Sequence, residues 1–126
     1  MNNFDADQFY RHLDELNLDA YMAFFADDAT LRFANFPPLV GKIAIGENFR
    51  SLAATVVRGM QHRFVDRWES KGSIVLESNV TYDLFDGRVV TVPAVTILRV
   101  NSLNKVADMR VYVDASAVFG LPPSDQ

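Results

Sequence analysis

Residues 105–119 read KVADMRVYVDASAVF. Side chains on an extended strand alternate with a period of two, so Met109, Val111 and Val113 share one face. Asp108, Arg110, Tyr112 and Asp114 share the other. One face is purely apolar and the other carries paired charges. A strand of this kind belongs in a sheet whose two sides meet different surroundings, and the residues after Asp114 read as a short exit. The polar four could form an acid–base cluster. As a charge ladder they would instead hold the strand to its neighbours or to a partner subunit.

Three segments upstream share the two-residue period: residues 60–69, 73–85 and 89–101. Their connections, Lys71-Gly72, Asp86-Gly87 and residues 102–104, are short and polar. Asp-Gly between apolar runs is a strong hairpin signal. Four strands joined by three hairpins predict an antiparallel meander. Before residue 60 the period is helical. Asp5 can cap a helix over residues 5–16, with Gln8 three positions on and Phe9, Leu13 and Leu16 as its apolar stripe. Asn17 can cap a second helix over 18–25, with Tyr21, Phe24 and Phe25 on its buried side. Asp27-Asp28 ends it, and residues 29–35 read as a strand that Pro37-Pro38 stops. A third helix is expected over 43–57, with Ile45, Phe49, Leu52 and Val56 as its stripe and Gly59 as its stop. The fold class is therefore α+β, with three N-terminal helices over one face of a strongly curved, mainly antiparallel sheet. Such a sheet curls, and helices on its concave side close a cone with an apolar interior suited to a small-molecule pocket.

At 126 residues the chain is one domain with room for a sizeable core. Residues 1–120 form that domain, and the Pro- and Ser-containing residues 121–126 read as a flexible tail. The net charge of −4 and the lack of any basic run argue against nucleic acid or an anionic membrane as partner. With no cysteine, disulfides, thiolate catalysis and Cys-ligated metals are excluded. No apolar run reaches the ~18 residues of a membrane span, and no signal-peptide pattern opens the chain, so a cytoplasmic protein is expected. Two isolated histidines and scattered carboxylates lack metal-ligand spacing, and no phosphate-binding glycine loop or nucleophile elbow is present. No metal or cofactor is expected.

The stretches LDAYMAFFADDATLRFAN (18–35), PPLVGKIAI (37–45), HRF (62–64), DGRVVTVPA (86–94) and DMRVYVDAS (108–116) come in an order and spacing that carry a resemblance across nearly the whole chain. They resemble the nuclear-transport-factor-2-like superfamily, and within it the SnoaL-like group. The group's usual proline three residues after the terminal Tyr-x-Asp is Ala117 here. The resemblance implies the cone fold and a homodimer formed through the open face of the sheet. It leaves activity open, because this fold hosts isomerases, cyclases, dehydratases, epoxide hydrolases and non-catalytic binding domains. The ketosteroid isomerases of this fold use a carboxylate base and an oxyanion hole of tyrosine and protonated aspartate, a system that serves as a standard example of carboxyl tuning. Those positions fall at Phe33, Phe9 and Thr96, and all three functional groups are missing. Of the limonene epoxide hydrolase set only Asn35 is retained. Phe33 replaces the tyrosine, Val111 stands at the last-strand aspartate, and the middle-strand pair falls near Glu77 and Asn79.

Two catalytic candidates remain, His62 and Glu77. His62 has a side chain suited to general acid–base work near neutral pH, or it serves as a structural histidine at a pocket rim. Asp66 lies about 13 Å further along the strand, at roughly 3.3 Å per residue, so it is expected to pair with an arginine on a neighbouring strand instead. Glu77 is the best remaining carboxylate if its face lines the cavity; Ile74, Leu76, Val80, Tyr82 and Leu84 on the other parity compete for the interior. His12 lies among charged residues and reads as solvated. Asn35 could hold a ligand at the mouth or cap its turn. The cavity is expected to be lined by Phe9, Tyr21, Phe33, Phe64, Leu98, Met109, Val111 and Val113, with Asn35, Tyr82 and Thr96 as further polar contacts. Its ligand would be a small apolar molecule of polyketide or terpenoid character. A cofactor-independent isomerase, cyclase or hydratase fits this reading. So does a non-catalytic binding or dimerisation domain with the same pocket.

Overall fold

The computed structural model describes residues 4–120; the expected tail at 121–126 lies outside them. Helix α1 spans Ala6–Asp14, and the Asp5 carboxylate accepts the Gln8 amide at 3.0 Å as its N-cap. It buries Phe9, Tyr10 and Leu13. Leu16 closes the helix at φ +55°, with Leu16 N–H bonded to Leu13 O and Asn17 N–H to His12 O. That pair of bonds is a Schellman ending, which normally favours glycine at the left-handed position. Here a leucine takes the strain, and its side chain turns onto the cavity.

Helix α2 is Leu18–Met22, and strand β1 is Phe25–Phe33. The expected second helix is therefore three residues too long. Phe24 O accepts the Val106 amide at 2.8 Å, so the pull of the sheet ends the helix early. A two-residue strand β2 (Leu39–Val40) follows the Pro37-Pro38 loop and precedes α3 (Lys42–Thr55). Gly59 does not stop α3. It lies inside β3 (Val57–Ser70) at an irregularity in the register, opposite Asp83. The meander is as expected: β3, β4 (Ser73–Leu84), β5 (Val89–Val100) and β6 (Val106–Val113) pair antiparallel in order. Lys71 and Gly72 form the first turn, both with positive φ, as a two-residue type I′ hairpin requires. A short helix α4 (Ser116–Phe119) ends the described chain.

The sheet order is β2-β1-β6-β5-β4-β3, curved and unclosed, with β1 parallel to β6. Parity is settled by burial along β4. Ile74, Leu76, Ser78, Val80, Tyr82 and Leu84 are buried, and the residues between them are only partly so. The helices cover that inner face. Phe9, Tyr21, Phe25, Ile45, Ile74 and Leu98 are shut off from solvent in the core between helices and sheet. Each stabilises the fold by roughly 1.5–3 kcal/mol of apolar burial. The outer face carries Glu77, Val95, Ile97, Asp108, Arg110 and Tyr112.

Candidate functional site

Between the helices and the concave sheet lies a cavity of about 590 Å³. Its walls come from the end of α1 (Leu13, Leu16), β1 (Leu31, Phe33), the Phe36–Pro38 loop and α3 (Asn48, Phe49, Leu52). The sheet interior (Met60, Val80, Ala94, Met109, Val111) and α4 (Val118, Phe119) close it. Its polar lining side chains are His62, Tyr82, Thr96 and Asn48. Among the described residues that line it there is no lysine, arginine or carboxylate.

His62 is the best-built of these. Its side chain is only 9% exposed. Asp14, at the end of α1, accepts the His62 main-chain N–H at 2.8 Å with one carboxylate oxygen and meets Nδ1 at 2.6 Å with the other. A carboxylate only accepts, so Nδ1 carries the proton and Nε2 is the nitrogen left for a ligand. Tyr10 packs against the imidazole at 4.7 Å and Phe64 stacks on it at 6.0 Å. The ring is thus fixed in both position and tautomer. Tyr82 lines the cavity beside it, because Val80 is the cross-strand partner of His62 and Tyr82 lies two residues further on the same face. Burial, with a smaller push from Asp14, holds the Tyr82 phenol well above its ordinary range, so it stays protonated and can donate. Burial also pushes up the Tyr10 phenol, against an opposing pull from the Thr96 hydroxyl.

Of the residues expected at the site, His62, Phe33, Tyr82, Thr96, Met109 and Val111 meet in the cavity wall. The others do not. Phe9 and Tyr21 are core side chains with ring centres 4.5 Å apart, and the Tyr21 hydroxyl donates to Met109 Sδ at 3.6 Å. Leu98 is core as well, and Val113 packs in the second apolar cluster. Phe64 supports His62 from outside the cavity. Asn35 is exposed and accepts from Arg32 at 3.1 Å, beside a shallow groove with Arg110 and Tyr112. Glu77 lies on the outer face, because Leu76 and Ser78 on either side of it point inward; it cannot act in the cavity. Among the described residues Asp66 pairs with no arginine side chain. It accepts the amide of Arg67 and stands directly opposite Glu77. His12 is half-buried rather than solvated, with Nδ1 unpartnered. Asp114 caps Ser116 at the start of α4, and hydrogen bonding from the Ser116 hydroxyl and amide holds its carboxyl below the usual range.

The charged face of β6 is a clamp. Asp108 accepts from Thr30 at 2.5 Å on β1, from Arg99 at 3.2 Å on β5 and from Arg110 at 3.1 Å. Asp14, Tyr10 and Asn48 were not singled out from the sequence. The one available signal for Asp14 is that a carboxylate follows the buried Leu13 at the end of an apolar stripe. That signal is common to most surface helices.

Among the described residues no group of three His, Asp or Glu side chains could hold a metal ion, and no helix is long and apolar enough to cross a membrane. Residues 6–109 match the model of the SnoaL-like domain family. No curated protein matches the chain. Among solved structures, an NTF2-like protein of unknown function from Burkholderia pseudomallei superposes with a TM-score of 0.80 at 16% identity, covering 94% of this chain and 95% of its own. An LEH-like epoxide hydrolase from M. tuberculosis gives 0.77 at 16% identity, covering 90% and 83%. A protein named as a SnoaL-like polyketide cyclase from Shewanella putrefaciens gives 0.74 at 19% identity, covering 88% of each chain.

Proposed function

Because the chain belongs to the SnoaL-like domain family, we propose that it is a cofactor-independent proton-transfer enzyme. It acts as an isomerase, cyclase or hydratase on a compact, apolar polyketide- or terpenoid-like molecule. The observation that carries this reading is the Asp14–His62 pair set into the wall of an otherwise apolar cavity. A histidine whose tautomer is fixed by a carboxylate, and whose second nitrogen is left to a ligand, is a positioned base. His62 Nε2 takes a proton from the ligand and returns it at another atom. Asp14 positions the ring and steadies the imidazolium. The apolar walls hold the carbon skeleton and keep bulk water from the transferred proton.

The test begins with a thermal-shift screen of lipophilic compounds, since binding to the native state raises apparent stability. Hits are then followed by NMR in deuterated water. The wild type should exchange or rearrange a carbon-bound hydrogen of a bound hit. His62→Ala should bind it without doing so, and Glu77→Ala should behave as wild type. Binding without any exchange or turnover by the wild type would sink the enzymatic reading and favour a ligand-binding domain.

We also assign a homodimer through the outer face of the sheet and a cytoplasmic location. Asp66 and Glu77 face one another there, and no cationic side chain pairs with either among the described residues. At the opposite side, Arg32 and Arg110 are register partners, and Arg99 and Arg110 share Asp108. A two-fold axis near Val95 and Ile97 would lay the acidic pair of one copy on the arginines of the other.

A further inference from the structure

Left-handed backbone is costly for any residue with a Cβ. Among the described residues four other than glycine adopt it: Leu16, Ala34, Lys71 and Asn104. Ala34, Lys71 and Asn104 lie in the turns that follow β1, β3 and β5, where such φ values belong to the turn. Leu16 is the branched apolar residue of the set, and nothing local favours it. Glycine would close α1 at lower energy. The apolar contact that often steadies this kind of helix ending would join His12 to Asn17, and both are polar. The core does not account for Leu16 either. Its neighbours in the cavity wall are tied in, since Leu13 is a core residue and Leu18 packs against the core. Leu16 is packed into neither apolar cluster of the described residues. It is partly buried, and what its side chain lines is the cavity. A cavity-lining residue that still meets solvent stands at the rim. Asp14, two residues earlier, is fixed to His62 by two hydrogen bonds, so the helix end that carries Leu16 is firmly placed.

We propose that Leu16 is a specificity-determining residue: a rim side chain, held on strained backbone, that closes over the hydrocarbon end of a bound ligand and sets the longest molecule the cavity takes. This rests on the reading of the cavity as a small-molecule site and adds a limit on ligand length. Backbone strain persists where the surrounding structure enforces it, and it gathers at positions that ligands use. With glycine at residue 16 the chain would turn in the same way and leave the rim open. With leucine the fold gives up some stability and gains an apolar stop. Leu13, Leu16 and Leu18 line the same corner between α1 and α2, so the part of the ligand that meets them is hydrocarbon.

The test has two arms, run on the wild type, Leu16→Gly and Leu16→Ala. The first is thermal unfolding without ligand. Both variants lose the leucine side chain, and only glycine relieves the backbone. Leu16→Gly should therefore melt about 3 °C or more above Leu16→Ala, the reverse of their order inside a right-handed helix. The second arm uses the neutral fluorophore N-phenyl-1-naphthylamine, displaced by straight-chain 1-alkanols from hexanol to dodecanol. Binding of the dye also reports that each variant is folded. Wild-type affinity should climb roughly four-fold with each added carbon and then stop climbing at one length. Leu16→Gly should move that stop by two or more carbons. If Leu16→Ala melts at or above Leu16→Gly, residue 16 is not strained and the proposal falls. If glycine is the more stable but the stop stays at the same length, or neither protein shows one, Leu16 does not bound the ligand, and the cavity reading stands without it. If the dye and the alkanols all fail to bind the wild type, the small-molecule reading falls and takes this proposal with it.

Discussion

Asp14 illustrates how much one residue can carry here. Its two oxygens serve the main chain and the side chain of the same histidine. Asp14→Ala removes both partners from a half-buried site and should cost about 1–3 kcal/mol in urea unfolding, mainly through the stranded His62 amide. Asp14→Asn should keep most of that stability, since a carboxamide oxygen still accepts the amide. Its NH2 then faces Nδ1 and reverses the tautomer, which places the proton on Nε2. Turnover should fall by about 10²-fold or more with little change in ligand affinity. Unchanged turnover would show that Asp14 is structural only. Phe9 and Phe33 make a second contrast. Phe9 is fully buried against Tyr10, Tyr21 and Phe25, so Phe9→Ala should cost about 3–5 kcal/mol. Phe33 borders the cavity and is half-buried, so Phe33→Ala should cost clearly less in the same assay while changing ligand affinity. Equal losses would mean that Phe33 also belongs to the core.

At the scale of elements, two devices hold the cone in shape. The first is the Asp108 clamp across β1, β6 and β5. Burial alone would raise this carboxyl, but the hydrogen bonds from Thr30 and Arg110 and the charges of Arg110 and Arg99 outweigh it and leave it below its usual range. A carboxyl lowered in the folded state adds stability above its unfolded pKa, about 3.9, and loses it as pH falls through the folded value. The wild type should therefore lose part of its thermal stability below about pH 4 that Asp108→Asn never had, and the two melting curves should converge in acid. Parallel curves down to pH 2 would contradict the clamp. The second device is α4. Its main-chain bonds are local, from Val118 and Phe119 to Ala115 and from Gly120 to Ser116. Among the described residues its polar tie to the body is Arg88, which bonds Ala117 O at 2.6 Å and is itself braced by Asp86 at 2.9 Å. Yet α4 brings Phe119 edge-on to Phe33 at 5.5 Å and to Tyr82 at 5.7 Å over the cavity. Arg88→Ala should speed amide exchange across residues 116–120 and leave the exchange of β4 and β5 unchanged. Unaltered exchange in α4 would show that apolar packing alone holds it.

At the scale of the whole molecule, the outer face is the remaining unpartnered surface of the sheet. It combines Ile97, Val95 and the 57%-exposed Tyr112 with the acidic and basic corners described above. Light scattering should report about twice the chain mass of 14.2 kDa. Arg110→Glu should shift the protein toward monomer by setting like charges together. The double reversal Arg110→Glu with Glu77→Lys should restore the dimer. A wild-type monomer, or a reversal without effect, would remove this face as the interface.

The sequence by itself determined the α+β class, the four-strand meander, the three helices and the apolar face of the last strand. These follow from local chemistry: a period of two or of 3.6, Lys71-Gly72 and Asp86-Gly87 at turns, and the Asp5 cap act over a few residues and are written in adjacent letters. The family match over residues 6–109 agrees with that reading. The helix boundaries at residues 22 and 55 were less legible, because pairing partners far away in the chain override local preference there. The site was legible only in part. His62 stands out as a side chain suited to acid–base work, Tyr82 falls in the apolar set of its strand, and Thr96, Met109 and Val111 follow from the family resemblance. Glu77 against Ser78 could not be settled, since one residue of register exchanges the faces and only burial by helices from the other end of the chain decides it. Asp14 and His62 are 48 positions apart, and no periodicity links a helix end to a strand interior. Only the tertiary structure, by laying α1 across β3, brings an ordinary surface carboxylate and a lone histidine into a hydrogen-bonded pair of fixed orientation at the cavity wall.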